Sequence, residues 1–140
     1  MTGDPLVKRL IDAIRARDAA EFGACYADNA VLIEPLFDRP HVGREEIVAG
    51  EQALFDAFTE IEVQLGVVLA DGHRRAVELV MRATNTGSID LPDGMSLPAT
   101  GRRIELPMAW LLDLNDDGLI TSERDYFDTA TLMQQLGGDG

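Results

Sequence analysis

The hydrophobic period changes partway along the chain, and the change predicts the architecture. In the first part apolar residues recur at helical spacing: Leu6, Val7, Leu10, Ile11 and Ile14 form one stripe, with Asp4 placed to cap a helix and Pro5 to open it. Asp18 is placed to start a second, short helix, with Glu21 at capping-box spacing and Phe22, Cys25 and Tyr26 on its inner face. In "YADNAVLIEP" an Asp-Asn turn is expected to feed a short strand that Pro35 ends. After the loop "LFDRPHVG", the acidic first turn of "REEIVAGEQALFDAF" suits a helix N-terminus, and Ile47, Leu54, Phe55 and Phe58 supply an apolar side. From Ile61 onward the period is two: "EIEVQLGVVLA", a turn at "DGHRR", then "AVELVMRATNTG". An irregular segment, "SIDLPDGMSLPATG", separates these from two further strands, "IELPMAWLLDL" and "LITSERDYF", and "DTATLMQQLG" closes the chain as a short helix. Helices first and a run of antiparallel strands afterwards predict an α+β fold, a single curved sheet covered on one face by three helices. Such a sheet leaves a concave pocket of the kind that holds small ligands.

Composition narrows the function classes. The 140 residues fit a single domain with its own core, expected over 1–137, with 138–140 a disordered tail. Lys plus Arg total 12 against 25 Asp plus Glu, a net charge of −13, which repels a phosphate backbone or an anionic membrane surface. Neither nucleic acid nor membrane is therefore an expected partner. Cys25 is the single cysteine, which excludes an internal disulfide and a Cys-based zinc cluster. On its predicted buried helix face it reads as a small hydrophobe, not a nucleophile. "MTGDPLVKRL" lacks the basic start and apolar run of a signal peptide, so a cytoplasmic protein is expected.

One stretch imitates a calcium loop. Asp113, Asn115, Asp117 and Gly118 stand where an EF-hand places its first oxygen ligands and its turn glycine. The closing bidentate position holds Arg124, however, and the flanks read as strands. A β-hairpin with its tip at Asn115 to Gly118 is therefore the expectation. No G-x-S-x-G, P-loop or H-E-x-x-H is present, and two histidines without a Cys partner make no metal site. Neither metal nor cofactor is expected.

The order of elements, with "YADNAVLIEP", "GREEIVAG", "LPATGRRIELP" and above all "GLITSERDYFDTATLMQQLG", resembles the SnoaL-like branch of the nuclear-transport-factor-2-like superfamily over nearly the whole chain. In the C-terminal run a strand, an Asp, a second Asp three residues later and a terminal "QLG" keep the family's spacing. The resemblance implies a cone-shaped α+β barrel with an apolar cavity, frequent homodimers, and members that include polyketide cyclases and isomerases. "RDYFD" and "LPATGRR" also resemble the limonene-epoxide-hydrolase branch, which uses an Asp-Arg-Asp set with a Tyr and an Asn holding water. Only Asp125 matches that set; its Arg and partner Asp fall on Leu79 and Met81, and its water-holding positions on Leu32 and Glu34.

Candidate chemistry centres on "LITSERDYFD". Alternation puts Leu119, Thr121, Glu123, Asp125 and Phe127 on one face. A carboxylate beside Phe127 in a cavity loses solvation and becomes a workable acid or base near neutrality, so Asp125 is the first catalytic candidate. A surface ion pair with Arg124 or Arg103 is the plainer alternative. Asp128 is either the family's acid or the N-cap of the last helix. Glu34 is placed to face Asp125 as a second carboxylate, and His41 to gate the mouth or shuttle a proton. Ile104, Leu106, Met108, Trp110 and Leu112 share a face and are expected to line the pocket with Met81, Phe58 and Phe22. An ordinary packed core accounts for most of that set, but Trp110 is suited to stack on a flat ring. Tyr26, Leu32 and Phe127 complete the expected substrate contacts. These residues suggest a cofactor-independent acid/base cyclase or isomerase for a polyketide-like, largely apolar carbonyl substrate. The alternatives are epoxide opening with Asp125 and Glu34, and a non-catalytic ligand-binding or dimerisation domain.

Overall fold

A computed structural model describes residues 4–91 and 94–137; the expected tail at 138–140 lies outside the described residues. Helix α1, Pro5–Ala16, is capped by Asp4, whose carboxylate accepts from the Val7 N–H at 3.0 Å, and it ends where Arg17 turns left-handed at φ 54°. The Asp4 carboxylate also pairs with Arg75, tying the helix start to the sheet. Its stripe of Val7, Leu10, Ile11 and Ile14 is buried, as the spacing predicts. Asp18 caps the short α2, Ala19–Gly23, but the Glu21 carboxylate reaches Arg9 at 2.8 Å, so the capping box is not closed.

Three local expectations differ from the structure. Strand β1, Tyr26–Ile33, begins directly after α2 and runs through Asp28 and Asn29, so the Asp-Asn turn does not form. Tyr26 is accordingly a strand residue, with no exposed surface, rather than part of the second helix. The two-residue β2, His41–Val42, then leads to α3, Arg44–Ala57, whose first turn carries Glu45 and Glu46. Phe58, expected at the end of that helix, has extended backbone and opens β3, Phe58–Asp71.

The long strands β3, β4 (Arg74–Asn85), β7 (Arg103–Leu114) and β8 (Ile120–Tyr126) join β1 and β2 in one six-stranded sheet, order β2-β1-β8-β7-β4-β3. The sheet is mixed: β1 and β8 pair in parallel and every other neighbour is antiparallel. Within the segment expected to be irregular, β5 (Ile89–Asp90) and β6 (Ser96–Leu97) form a small separate ladder. Helix α4, Thr129–Gln135, packs against β7.

Bulges bend this sheet toward the helices. In β3 the register shifts between Thr59 and Glu62, where Glu60 has φ 52°, and again between Leu65 and Val68. At the second shift Gly66 lies so close to β4 that a Cβ would stand 2.9 Å from the Glu78 carbonyl oxygen. The shift reverses the alternation: Val63 is buried, whereas Val67 and Leu69 are 53% and 63% exposed. The β7–β8 hairpin turns at Asn115 to Gly118 as expected. The Asn115 side chain accepts from the Asp117 and Leu119 N–H groups, and Gly118 adopts φ 79°. The helices and the concave face enclose one core cluster around Leu10, Tyr26, Val77 and Leu112 and a second around Phe58, Ile104, Leu106 and Leu132.

Candidate active site

A cavity of about 120 Å³ lies between the concave face and the helices, and its walls are overwhelmingly apolar. Leu10 and Ile14 of α1, Phe22 of α2 and Leu54 and Phe55 of α3 form one side. Met81 of β4 and Ile104, Leu106, Met108 and Trp110 of β7 form the other, with Phe58, Phe127 and Leu132 toward one end. Alternation along β7 brings Ile104, Leu106, Met108 and Trp110 to the cavity, whereas Leu112, expected with them, is buried in the core cluster instead. Among the expected substrate contacts, Trp110, Tyr26, Met81, Met108, Leu106, Phe58 and Phe127 all line it. Leu32 does not; it is buried in the core cluster.

Into this apolar space project four carboxyl-bearing residues: Glu34, Glu51, Glu123 and Asp125. Glu123 and Asp125 come from the same face of β8. That face is established by a bulge: Leu114 pairs with Ile120 and Asp113 with Ser122, leaving Thr121 as the extra residue, its hydroxyl donating to the Asp113 carbonyl at 3.1 Å. The bulge explains how Ile120 and Glu123, of opposite parity, are both buried, at 0% and 3% exposure. Tyr26, beneath them on β1, donates its hydroxyl to Glu123 Oε1 at 2.5 Å. Glu34 stands just past the end of β1 and accepts from the Leu36 N–H at 2.8 Å. Glu51 reaches in from α3.

Burial dominates the electrostatics. It holds the Asp125 carboxyl well above the usual carboxylate range, reinforced by the proximity of Glu123 and by the charges of Glu34 and Glu51. Asp125 as a residue is half-buried, yet its Oδ1 is closed off from solvent. Glu51, also half-buried as a residue, has its pKa raised to about 8, first by burial of its carboxyl and then by Glu123 and Glu34. For Glu34, burial raises the pKa to about 7 against the opposing N–H groups of Leu36 and Phe37. The Tyr26 hydroxyl is pushed well above its ordinary value by burial and then by Glu123.

Two buried polar atoms here have no partner among the described residues: Trp110 Nε1 and Asp125 Oδ1. Trp110 and Asp125 face each other directly across the β7–β8 ladder, so their side chains rise from the same side of the sheet. An unpaired N–H beside a carboxyl whose neutral form is favoured presents two donors to one ligand oxygen when the carboxyl proton sits on Oδ1.

His41 and Asp128, two of the expected catalytic residues, lie outside the cavity lining. The His41 ring packs edge-on against Phe37, centroids 4.7 Å apart, and burial lowers its pKa. Asp128 is exposed and caps α4, accepting from the Ala130 N–H and the Thr131 hydroxyl. Glu51 and the partnership of Glu123 with Asp125 were not foreseen from sequence. A signal for Glu51 exists: it interrupts the apolar stripe of α3 between Ile47 and Leu54–Phe55. Cys25 is fully buried and its thiol is pushed up to about 11 by burial, consistent with an inert core position. Asp113 and Asp116 in the hairpin are paired with Arg74 and His73.

A family model described as a SnoaL-like domain matches residues 7–123. No curated protein matches the chain. Among solved structures, a hypothetical protein of Catenulispora acidiphila with a ketosteroid isomerase-like fold, in complex with trimethylamine, superposes with a TM-score of 0.80 at 20% identity, covering 98% of this chain and 95% of that one. A SnoaL-like protein of Jannaschia sp. CCS1, provisionally assigned as a polyketide cyclase, gives a TM-score of 0.81 at 21% identity over 96% and 91%. An epoxide hydrolase of Mycobacterium tuberculosis related to the limonene enzyme gives 0.70 at 19% identity over 94% and 86%. At these identities the likeness establishes the fold.

Proposed function

The chain belongs to the SnoaL-like domain family, and from that premise we propose that it is an acid/base enzyme, needing no cofactor, that isomerises or cyclises an apolar substrate through a carbonyl group. The observation that carries this reading is the pair of unpartnered atoms, Asp125 Oδ1 and Trp110 Nε1, inside an apolar cavity. The protonated Asp125 carboxyl and the Trp110 N–H donate to the carbonyl oxygen and stabilise the negative charge that develops there. Glu34, with a pKa of about 7, is half ionised at neutral pH and takes the proton from the adjacent carbon. The resulting enol either regains a proton at a different carbon, which is isomerisation, or attacks a second electrophilic carbon of the folded chain, which closes a ring. Apolar walls supply the folding and exclude water, and positioning of this kind contributes as much to rate as the proton transfer.

The probe is α-proton exchange of a hydrophobic aryl ketone such as tetralone in deuterated water, followed by NMR. Wild-type protein is expected to accelerate exchange, and Asp125→Asn to lower that rate by about 10²–10³-fold with an unchanged melting temperature. Equal exchange by wild type and variant removes Asp125 from the chemistry. A melting-temperature shift by the ketone with no exchange at all would instead favour a binding protein. Epoxide opening would use Asp125 as acid and Glu34 as base toward water; incorporation of labelled water oxygen into the product of an apolar epoxide identifies that course.

A further inference from the structure

Among the described residues, the cavity is lined by acids and by no compensating cation. Every charged side chain among its lining residues is a carboxyl: Glu34 at the exit of β1, Glu51 on α3, and Glu123 and Asp125 on β8. From α1, α2, β3, β4, β7 and α4 the lining contributes only uncharged side chains, and Tyr26 of β1 adds a hydroxyl. The arginines of the surrounding elements point their guanidinium groups elsewhere. Arg9 pairs with Glu21, Arg15 donates to the Val63 carbonyl, Arg17 to the Phe55 carbonyl, and Arg44 to the Tyr26 carbonyl and Asp28. On the sheet Arg82 pairs with Glu105, and Arg103 with Glu62.

An enclosed charge is normally paired within the protein or met by a ligand of opposite sign. Independently of the acids, Trp110 is 4% exposed, and its unpartnered N–H calls for an oxygen acceptor on whatever fills the cavity. We propose that the cavity takes an apolar ligand that carries a positively charged nitrogen together with an acceptor oxygen, in other words an amine-bearing carbonyl or hydroxyl compound. This deepens the acid/base reading by naming its substrate class, and rests on the cavity's being the substrate site. Phe22, Phe55 and Phe58 line the cavity with rings of the kind that attract a cation, and Glu123, already held by Tyr26, supplies an opposing carboxyl. A cation entering beside Glu34 and Glu51 favours their ionised forms and expels their protons. Affinity therefore rises with pH across the range in which those carboxyls, with pKa values of about 7 and about 8, are still protonated in the empty cavity.

Choline is a suitable probe, compared with its neutral isostere in which a quaternary carbon replaces the nitrogen. Trp110 is the only tryptophan, so its fluorescence reports filling of the cavity directly. Choline is expected to bind at least about tenfold more tightly than the isostere near pH 8, a modest fraction of what one enclosed charge pair can supply. Its affinity is expected to rise severalfold between roughly pH 6 and 8.5 with proton release in calorimetry. Glu123→Gln is expected to remove the preference for the cation. Should that buried variant not fold, Glu51→Gln serves in its place by flattening the pH dependence. Equal affinities for the two probes, an affinity that is flat or falling with pH, or no saturable signal from choline up to about 10 mM each overturns the proposal. Loss of ketone exchange in Asp125→Asn without a cation preference would sink this inference and spare the acid/base reading. Cation binding without any ketone exchange would do the reverse.

Discussion

Asp125 and Trp110 owe their chemical potential to what they do not touch. In water an Asp carboxyl is ionised and an indole N–H is solvated; here burial and then Glu123 push the Asp125 carboxyl well above the usual carboxylate range, which favours its neutral form, and the Trp110 N–H lacks an acceptor. Leaving such groups unpaired costs stability, of order 1–3 kcal/mol each, which substrate binding restores. Trp110→Phe keeps the ring and deletes the donor. It is expected to lower kcat for ketone exchange by about 10²-fold while changing KM little, because the hydrogen bond strengthens as charge develops on the oxygen. An equal loss in kcat/KM arising wholly from KM would assign Trp110 to ground-state binding instead. The Asp125 candidate was legible from the alternation on "LITSERDYFD", since a carboxylate two residues from Phe127 on one strand face is unusual in itself. Glu34 was legible beside it, but Glu51 and the role of Glu123 were not, because a carboxyl's environment depends on groups distant in sequence, and nothing within a few residues of Glu51 signals Glu123.

Elements hold the site through a few specific backbone devices. Asn85, 1% exposed at the end of β4, donates to the Ala57 and Gly87 carbonyls and accepts from the Thr100 N–H and hydroxyl. One side chain thereby ties the end of α3, the β4 exit and the approach to β7 together. Asn85→Ala is expected to cost about 3 kcal/mol, read as a lower urea midpoint with an unchanged slope. Gly66 is the corresponding device in β3: a Cβ 2.9 Å from the Glu78 carbonyl forces the strands apart. Gly66→Ala is expected to lower stability by about 1–3 kcal/mol and to weaken ligand binding, since the bulge it permits curves the wall over the cavity. Periodicity exposed the strands and helices but not these bulges, which arise where one strand meets another. The same limit explains Tyr26. Helical spacing from Phe22 and Cys25 carried the reading past the true end of α2, whereas pairing of Tyr26 with Ile120 on β8 places it in a strand.

For the molecule as a whole, the enclosed carboxyls tie folding to pH. Glu34 and Glu51 have folded-state pKa values of about 7 and about 8, above the ordinary 4.5 of a glutamate, so the folded chain binds more protons than the unfolded one between roughly pH 4.5 and 8. Stability therefore falls as pH rises through that window. The net charge of −13 acts in the same direction through self-repulsion. Thermal melting is expected to decline from about pH 5.5 to 8.5, and Glu51→Gln to flatten part of that decline. Salt, by screening the surface charges alone, is expected to leave the Glu51 contribution in place. A Glu51→Gln profile parallel to wild type would show that the whole effect belongs to the surface.

The sequence by itself determined the fold class, the hairpin at Asn115 to Gly118, the apolar face of β7 and the candidacy of Asp125, because each follows from periodicity or turn chemistry within a short window. Only the tertiary structure decided that β1 runs parallel to β8, that Leu32, His41 and Asp128 stand apart from the cavity, and that Glu51 and Glu123 join Glu34 and Asp125 inside it. Convergence depends on sheet curvature and strand register, which are set by contacts between segments far apart in the chain. The acidity of a carboxyl is set by the space those contacts enclose.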